Sequence, residues 1–265
     1  MPDLIQGVTR LSNAVYILHA RDADQIDVYT TECEYLRCIT VPGLNSSGVC
    51  DIVSSEHNAC LYLSNVNKSY IHVVTPKVTS NKITKWTLSE IPCGLSVMRS
   101  GRLLVTCVGT VGNRKLIEFN SRGKSVRSII LDSAISQPYH SIQLASGNYA
   151  ICCAGAGESI HQVCIVNSEG KIERRYGSAS GGGDGQLNSP THIAVDEDEF
   201  VFVADRDNAR IVLLSPSLQF VSYVLPSELH RKTNHVYIDR TANRLYASSS
   251  GMFDQRRSIV TVVQL

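Results

Sequence analysis

The 265-residue chain has few charged residues and no long apolar run. Charged side chains make up 18% of it, whereas an average globular domain has roughly 25%, and this argues against a disordered or a solvated helical protein. No apolar stretch reaches the roughly 18 residues that a membrane-spanning helix needs. The formal net charge is +1, so a surface that binds nucleic acid or anionic lipid has to be local.

The nine cysteines include no C-x-x-C pair, which excludes the usual spacing of a structural zinc site. They lie mainly in apolar, strand-like runs, as in Ala59–Leu63 and Leu104–Val108. An odd number does not suit a disulfide framework, and a free cysteine behaves as a small buried hydrophobe. Since no basic and apolar leader follows Met1, we expect a cytoplasmic protein.

Common catalytic signatures are absent as well. The chain has no G-x-S-x-G, P-loop or H-E-x-x-H motif. A Gly-rich loop runs from Gly177 to Gly185, but it lies between two predicted strands. Phosphate binding usually needs a helix that begins after such a loop. We therefore expect a non-enzymatic protein.

What the sequence does contain is an internal repeat. Its clearest unit runs from Pro190 to Val224 and has four short β-rich runs separated by turn-forming clusters, which is typical of a propeller blade. The same order recurs along the chain. We predict a single all-β domain, a six-bladed β-propeller of four-stranded antiparallel blades, with approximate blades at 7–41, 48–90, 92–131, 138–177, 190–225 and 233–265.

The last unit stops one strand short of a full blade. It has strand-like runs at His235–Asp239, Arg244–Ala247 and Ser258–Val263, and none after them. An open edge strand invites aggregation, so the ring is expected to close. Residues 2–6 are the candidate for the outer strand of this blade; an incomplete ring, or a longer chain at the N-terminus, is the alternative.

The segment from Tyr176 to Ile211 carries a specific resemblance. GQLNSP at 185–190, IAVD at 193–196 and VADRDNARI at 203–211 resemble the NHL repeat, and the other units keep its order in degenerate form. The whole chain is thus similar to invertebrate NHL proteins and to the C-terminal propeller of TRIM-NHL proteins. The zinc-ligand spacing and heptads of their RING, B-box and coiled-coil modules are absent, so ubiquitin-ligase chemistry is not encoded here.

The resemblance implies a binding scaffold that recognises a protein or peptide, within a ubiquitin or post-transcriptional regulatory system. Recognition would use the loops on one face of the disc, which a rigid propeller holds in place. Cations outnumber acids in these loops. The candidate binding residues are Arg114, Lys115, Tyr139, His140, Arg206, Arg210, Arg231, Lys232, Arg256 and Arg257.

RNA is the alternative partner, since several TRIM-NHL propellers bind RNA on the equivalent face. The cations would contact phosphates, and aromatic rings such as Tyr139 would stack on bases. Asp205, Asn208 and Arg210 belong to the repeat signature, however, so a competing interpretation is that they tie neighbouring loops together by charge-assisted hydrogen bonds. We expect no DNA or membrane partner, and a monomer for the isolated domain.

Three histidines occupy the same slot in successive blades. His140 and His192 each stand two residues after the proline that opens the blade, and His235 stands two residues after Thr233. The other blades place Gly7, Asp51 and Gly94 in this slot. Because equivalent positions point to equivalent places around the central channel, three imidazoles are predicted to converge there.

Three histidines form a plausible ligand set for Zn²⁺ with an open fourth position. The peptide-amidating lyase is similar in using channel-end histidines of its propeller for zinc, which makes a metal-dependent lyase a more distant alternative. Its other catalytic residues have no match in this sequence, and histidines in this slot also form hydrogen-bonded loops. We therefore expect no cofactor, with zinc or calcium in the channel as the alternative.

Overall fold

The computed structural model describes residues 5–19, 25–44, 49–77, 80–109, 113–154, 160–224, 231–251 and 258–265, with the backbone alone at 49, 50, 231 and 251. Runs of β-branched and apolar residues form strands there, and turn residues separate them. The first three sheets contain β1 (Ile5–Leu11), β2 (Ala14–His19), β3 (Gln25–Thr30), β4 (Tyr35–Thr40), β5 (Val49–Ser55), β6 (Cys60–Asn65), β7 (Tyr70–Thr75), β8 (Lys82–Thr87), β9 (Ile91–Val97), β10 (Leu103–Val108), β11 (Lys115–Phe119) and β12 (Ser125–Ile130).

The other three sheets complete the molecule. They contain β13 (Pro138–Gln143), β14 (Tyr149–Ala154), β15 (Ile160–Val166), β16 (Ile172–Ala179), β17 (Pro190–Val195), β18 (Val201–Asp205), β19 (Arg210–Leu214), β20 (Phe220–Tyr223), β21 (Arg231–Asp239), β22 (Arg244–Gly251) and β23 (Ile259–Gln264). A 3-10 helix spans Arg206–Asn208. Within the described ranges, no helix has the length and apolarity needed to cross a membrane.

The six sheets are the blades of a propeller. Strands within a blade are antiparallel and hydrogen-bonded in chain order, as successive strands joined by short turns are expected to be. The inner strands β1, β5, β9, β13, β17 and β21 contact one another in this order, and β21 also contacts β1. The ring is therefore closed, and the all-β, six-bladed propeller predicted from the sequence is confirmed.

The sixth blade has three strands in the described part of the chain, whereas each of the other five has four. Ile5 and Gln6 lie in β1, where Ile5 pairs with His19 of β2. These two residues therefore do not supply the outer strand that we expected residues 2–6 to form, and residues 2–4 lie outside the described residues. The outer edge of β23 has no strand partner among the residues described.

Blades six and one are joined by side chains. Val8 and Val15 of blade one pack with Tyr246 of blade six in a buried apolar cluster. Next to this cluster, Nη1 of Arg10 lies 2.6 Å from both carboxylate oxygens of Asp239. In the described part of the chain, apolar packing and a charge-assisted hydrogen bond thus join these two blades, and no strand is shared between them.

The core is divided among the interfaces between blades. Six buried apolar clusters lie one at each interface, because successive side chains of a strand point to opposite faces. In β14, Cys152 packs toward blade five and Cys153 toward blade three. Of the eight cysteines whose side chains are described, six are buried. Cysteine therefore serves here as a small core residue, as the sequence predicts.

Replacing Arg10 by methionine tests the closure between blades six and one. The Asp239 carboxylate is buried, so R10M leaves it without its cation, and we expect the free energy of unfolding to fall by about 2 kcal/mol. Urea denaturation measures this change. The matched control is R174M on the exposed outer strand β16, which should change stability by less than about 0.5 kcal/mol. Equal effects of the two substitutions would contradict this account of the closure.

Candidate functional site

Each inner strand has a register irregularity near its beginning. An irregularity of this kind re-aims a side chain and bends the strand. In five blades the residue that follows it is Gly7, Asp51, His140, His192 or His235. In blade three the irregular stretch contains Gly94. The local backbone thus places one residue of every blade at the same level around one end of the channel.

Asp51 faces the three histidines across this end of the channel. Its Oδ1 lies 3.1 Å from Nε2 of His235 and 3.4 Å from Nε2 of His192, and its Oδ2 lies 3.6 Å from Nε2 of His140. The rings of His140 and His192 are stacked with centroids 3.7 Å apart, and the His192 and His235 centroids are 3.8 Å apart. All four residues are buried. The structure therefore brings the predicted imidazoles together around one carboxylate.

The glycines at two of the slots leave room for these side chains. A Cβ on Gly94 would lie 2.3 Å from the carbonyl oxygen of Tyr139 and 2.7 Å from Cα of His140. A Cβ on Gly7 would lie 2.6 Å from Cγ2 of Ile52. Both positions flank the slot of Asp51 in the ring of inner strands. Side chains there would displace the neighbouring strands.

Backbone groups hold the carboxylate in place. The N–H of Ile52 donates to Oδ1 of Asp51 at 2.8 Å, and the N–H of Leu95 donates to Oδ2 at 2.7 Å. The carbonyl of Leu95 lies 2.9 Å from Nε2 of His140. Nδ1 of His140 and of His235 is buried and has no hydrogen-bond partner among the described residues. The carboxylate is therefore fixed, while the imidazoles keep unused nitrogen atoms.

Burial and mutual charge set the protonation of the cluster. Burial opposes ionisation of Asp51, but its interactions with His192, His235 and His140 hold the pKa of this carboxyl well below its usual range. Burial and the neighbouring His192 lower the pKa of His140 to about 3. Burial and the neighbouring His235 lower the pKa of His192 to about 4. At neutral pH, Asp51 is ionised and these two imidazoles are neutral.

Asp51, His140 and His192 fit a divalent metal ion. Their ligand atoms lie within 4.8 Å of one another. Ligands of a tetrahedral zinc ion, about 2.0 to 2.2 Å from the metal, are about 3.3 to 3.5 Å apart, which is close to the 3.4 Å between Oδ1 of Asp51 and Nε2 of His192. Neutral imidazole and carboxylate are the donors that zinc and iron accept. No Lys or Arg of the described residues pairs with Asp51, so a cation would also balance a buried charge.

The group of Asp51, His140 and His192 differs from the three histidines that the sequence suggested as metal ligands. His235 hydrogen-bonds Asp51 at 3.1 Å and lies outside the metal-competent group. Such a contact orients a ligand rather than replacing it. Asp51 was not identified as a site residue from the sequence. The signal was available, because Asp51 occupies the same slot as the histidines.

A cavity of about 250 Å³ runs from this cluster along the channel. His140, His192 and His235 line one end of it, and Arg10, Glu56 and Arg240 line the other. The inner strands form its walls. A ligand inside this cavity would meet the histidines directly.

The predicted loop-face cations are mostly engaged within the protein. Lys115 pairs with Glu90 at 2.7 Å, and Nη1 of Arg114 donates to the carbonyl of Ile135 at 3.0 Å. Tyr139 lines a separate depression together with Arg114. The side chain of Arg231 is not described, and Arg256 and Arg257 lie outside the described residues.

Blades five and six hold the remaining cations in ion pairs and loop contacts. Lys232 lies 2.7 Å from Asp207, and Nε of Arg206 donates to Oδ1 of Asn234 at 2.9 Å. Ion pairs of this kind reduce the positive charge that the face presents to solvent. RNA binding stays a prediction.

The repeat signature itself forms a loop-tying network. Oδ2 of Asp205 accepts from Nε of Arg210 at 2.6 Å and from Nδ2 of Asn208 at 2.8 Å. Arg210 also donates to the carbonyl of Gly182 in the Gly-rich loop and to that of Gln186 just after it. These contacts agree with the structural interpretation of the signature and give Arg210 a role within the fold.

No family model matches the chain, and no curated protein matches it. Solved structures match over nearly its whole length. Virginiamycin B lyase from Staphylococcus aureus has 12% identity and a TM-score of 0.62, and the match covers 98% of this chain and 85% of that one. A PQQ-bound aldose sugar dehydrogenase from Streptomyces coelicolor has 14% identity and a TM-score of 0.73, with 97% and 93% covered. A putative gluconolactonase has 12% identity and a TM-score of 0.69, with 98% and 88% covered.

These comparisons correct one expectation from the sequence. We expected a non-enzymatic protein, but the structures that share this fold include a lyase, a sugar dehydrogenase and a putative gluconolactonase. The absence of common catalytic motifs from the sequence therefore does not exclude catalysis by a protein of this fold. At such low identity the likeness shows the fold alone. NHL and TRIM-NHL membership stays a prediction.

The low histidine pKa values predict how stability depends on pH. Between pH 6.5 and about 4, the unfolded chain protonates His140 and His192 while the folded protein does not, so the free energy of unfolding should fall as the pH is lowered. Asp51 adds its own loss at still lower pH, since its pKa is also lowered by folding. Urea denaturation in the presence of EDTA, repeated at successively lower pH from pH 7, measures the slope of the free energy of unfolding against pH.

His192→Gln should make this slope shallower, because one of the two buried groups no longer titrates. The matched control is His57→Gln, since His57 is exposed and far from the cluster in the fold. It should keep the wild-type slope. Parallel slopes in wild type and H192Q would disprove the assignment of the pH dependence to this cluster.

Proposed function

We propose that this propeller is a metal-dependent lyase or hydrolase that acts on a small molecule in its central channel. The observation that carries the proposal is the buried group of Asp51, His140 and His192, whose ligand atoms lie within 4.8 Å of one another. A carboxylate and two neutral imidazoles leave coordination positions open on a divalent ion. The cavity that starts at the histidines supplies the space for a substrate.

The solved structures give this proposal further support. A histidine-to-alanine variant of virginiamycin B lyase, solved with quinupristin, is catalytically inactive. That statement concerns the other protein, whose fold this chain shares. It shows that a propeller of this shape can place an essential histidine. This comparison supports the histidine cluster as the candidate catalytic centre of this chain.

The chain's own residues would have distinct roles in such a site. Asp51, His140 and His192 would hold the ion, which when bound supplies a Lewis acid and lowers the pKa of a coordinated water. His235 positions Asp51 by its hydrogen bond. The N–H groups of Ile52 and Leu95 fix the carboxylate from the other side.

The channel wall beside the site is formed by apolar residues. Leu95, Ile193 and Val236 line the cavity beside the histidines and are almost completely buried. An apolar surrounding strengthens each electrostatic interaction with a bound substrate, because fewer water molecules screen it. Substrate oxygen atoms would therefore be polarised at the histidine end of the cavity.

Titration with Co²⁺ or Zn²⁺ tests the metal site directly. We expect saturable binding of about one ion per chain. Calorimetry and the visible absorption of Co²⁺ measure this binding. Asp51→Asn and His192→Gln should weaken binding by about 100-fold or more, because each removes a ligand. His235→Gln should weaken it by roughly tenfold, as expected for a residue that orients a ligand.

The matched control is His57→Gln, which should bind metal as the wild type does, since His57 is an exposed histidine outside the cluster. Circular dichroism and thermal unfolding show whether each variant is folded. Absence of saturable binding to the folded wild type would refute the proposal. So would folded D51N and H192Q variants that bind metal normally.

Protein or peptide recognition on the loop face is a second candidate function. One observation favours it: a depression of about 240 Å³ lies between blades three and four and is lined by Val108, Arg114 and Tyr139. Exposed Ile91 and Ile130 lie at the same edge of blade three, at the start of β9 and the end of β12. Apolar side chains around a small depression are typical of a surface that anchors one side chain of a partner.

Peptides selected from a random library on the immobilised wild-type protein test this surface. Ile130→Glu should reduce their affinity by about tenfold or more, because it places a charge in an apolar contact. Val126→Glu is the matched control, since Val126 is exposed on the same strand but at its opposite end. Selected peptides that bind I130E and wild type equally well would rule this surface out as their site.

A further inference from the structure

The channel cavity is apolar along its middle. Leu95, Ile142, Val195 and Ile238 are among the residues that line it, and they come from four different inner strands. Residues of all six inner strands contribute to its lining. A ligand that fills this part of the channel gains from removing its apolar surface from water. The middle of the ligand should therefore be a hydrocarbon.

One polar group points to a ligand within this apolar stretch. Ser96 lines the cavity, is 7% exposed, and its Oγ has no hydrogen-bond partner among the described residues. A buried hydroxyl without a partner costs free energy. An oxygen or nitrogen atom of a bound molecule would satisfy it.

The far end of the cavity holds an arginine that has no carboxylate partner among the described residues. Arg10 is already bound to Asp239, and the Glu56 carboxylate accepts from the N–H of Ser12. Arg240 is exposed and donates from Nη2 to the carbonyl of Val195 at 2.9 Å. It forms no ion pair with a carboxylate in the described ranges, so its remaining donors are available. A guanidinium with free donors favours a carboxylate, which it binds through two hydrogen bonds.

The distance between the histidine end of the cavity and its Arg240 end follows from the strand geometry. His192 and Val195 are three residues apart on β17, and the Arg240 guanidinium lies against the carbonyl of Val195. At about 3.3 Å per residue, the histidine end and the arginine end of the cavity are about 10 Å apart. An extended ligand of about that length would reach both ends.

We propose that the channel binds a small aliphatic carboxylate, with its carboxylate on Arg240, its hydrocarbon between the inner strands and an oxygen-bearing group toward Ser96 and the histidines. The inference deepens the proposed function, because it names the substrate class of the same cavity. Recognition of the carboxylate by Arg240 does not require the metal, so the two proposals can fail separately. The ligand enters from the face that carries Arg240, opposite the histidine end.

Three probes of equal chain length test the proposal: octanoate, 1-octanol and octylamine. Binding is measured by calorimetry and ligand-observed NMR at neutral pH, with EDTA and again with Zn²⁺. In both conditions we expect octanoate to bind at least about tenfold more tightly than the alcohol or the amine, because it gains a charge-assisted, bidentate contact. Arg240→Gln should abolish this preference. Arg174→Gln, on the exposed outer strand β16, is the matched control and should keep it.

A cavity-filling variant locates the bound probe. Ile142→Phe narrows the channel without changing its charge, and it should weaken octanoate binding by about tenfold or more, because the space is filled. Thermal unfolding shows whether R240Q and I142F are folded. Equal binding of the three probes, an octanoate preference that survives in folded R240Q, or an unchanged octanoate affinity in folded I142F would overturn the proposal.

The failure of the carboxylate site and the failure of the proposed metal-dependent function can be told apart. If octanoate is preferred in EDTA and the preference depends on Arg240, but no Zn²⁺ binds to the cluster, the carboxylate site stands and the metal-dependent function is lost. If Zn²⁺ binds through Asp51 and His192 but octanoate is not preferred in either condition, the metal site stands and the carboxylate site is wrong.

Discussion

The charge on Asp51 is the constraint on which the candidate site depends. A nearly fully buried carboxylate stays ionised only because three imidazoles and two backbone N–H groups surround it. Burial and the neighbouring histidines lower the pKa of His140 and of His192, so these two imidazoles supply no positive charge to balance Asp51 at pH 7. Since an uncompensated buried charge is unfavourable, the cluster favours a cation. This charge balance connects the fold to a chemical function more directly than any motif does.

The geometry of the ring makes such a cluster possible. Six inner strands bring six slots to one end of the channel, and three imidazoles and a carboxylate fit there because Gly7 and Gly94 occupy the slots on either side of Asp51. The apolar clusters between blades keep the strands in register. Closure is made by packing and by the contact between Arg10 and Asp239. Hence the site relies on the closed ring rather than on any single blade.

The fold of this molecule does not by itself specify a function. Propellers with very different sequences share its shape and include several enzymes, so the shape is compatible with catalysis without specifying a reaction. On the loop face, the sequence suggested a binding surface whose cations are mostly engaged within the protein. Its cations looked available in the sequence, but Lys115 and Lys232 are neutralised by Glu90 and Asp207, and Arg210 ties its own loops together. A count of charges along a chain does not show which of them are already paired.

The sequence by itself determined the repeat, the number of blades, the missing strand of the last blade and the common slot of the histidines, because these depend on local patterns of strands and turns. Only the tertiary structure decided that Asp51 faces the histidines, that His235 contacts this carboxylate instead of joining the metal-competent group, and that Ile5 and Gln6 belong to β1 of blade one. It also decided that the channel carries Arg240 at its far end. Asp51 and His235 are separated by 184 residues, and a contact over that distance exists only once the ring has closed.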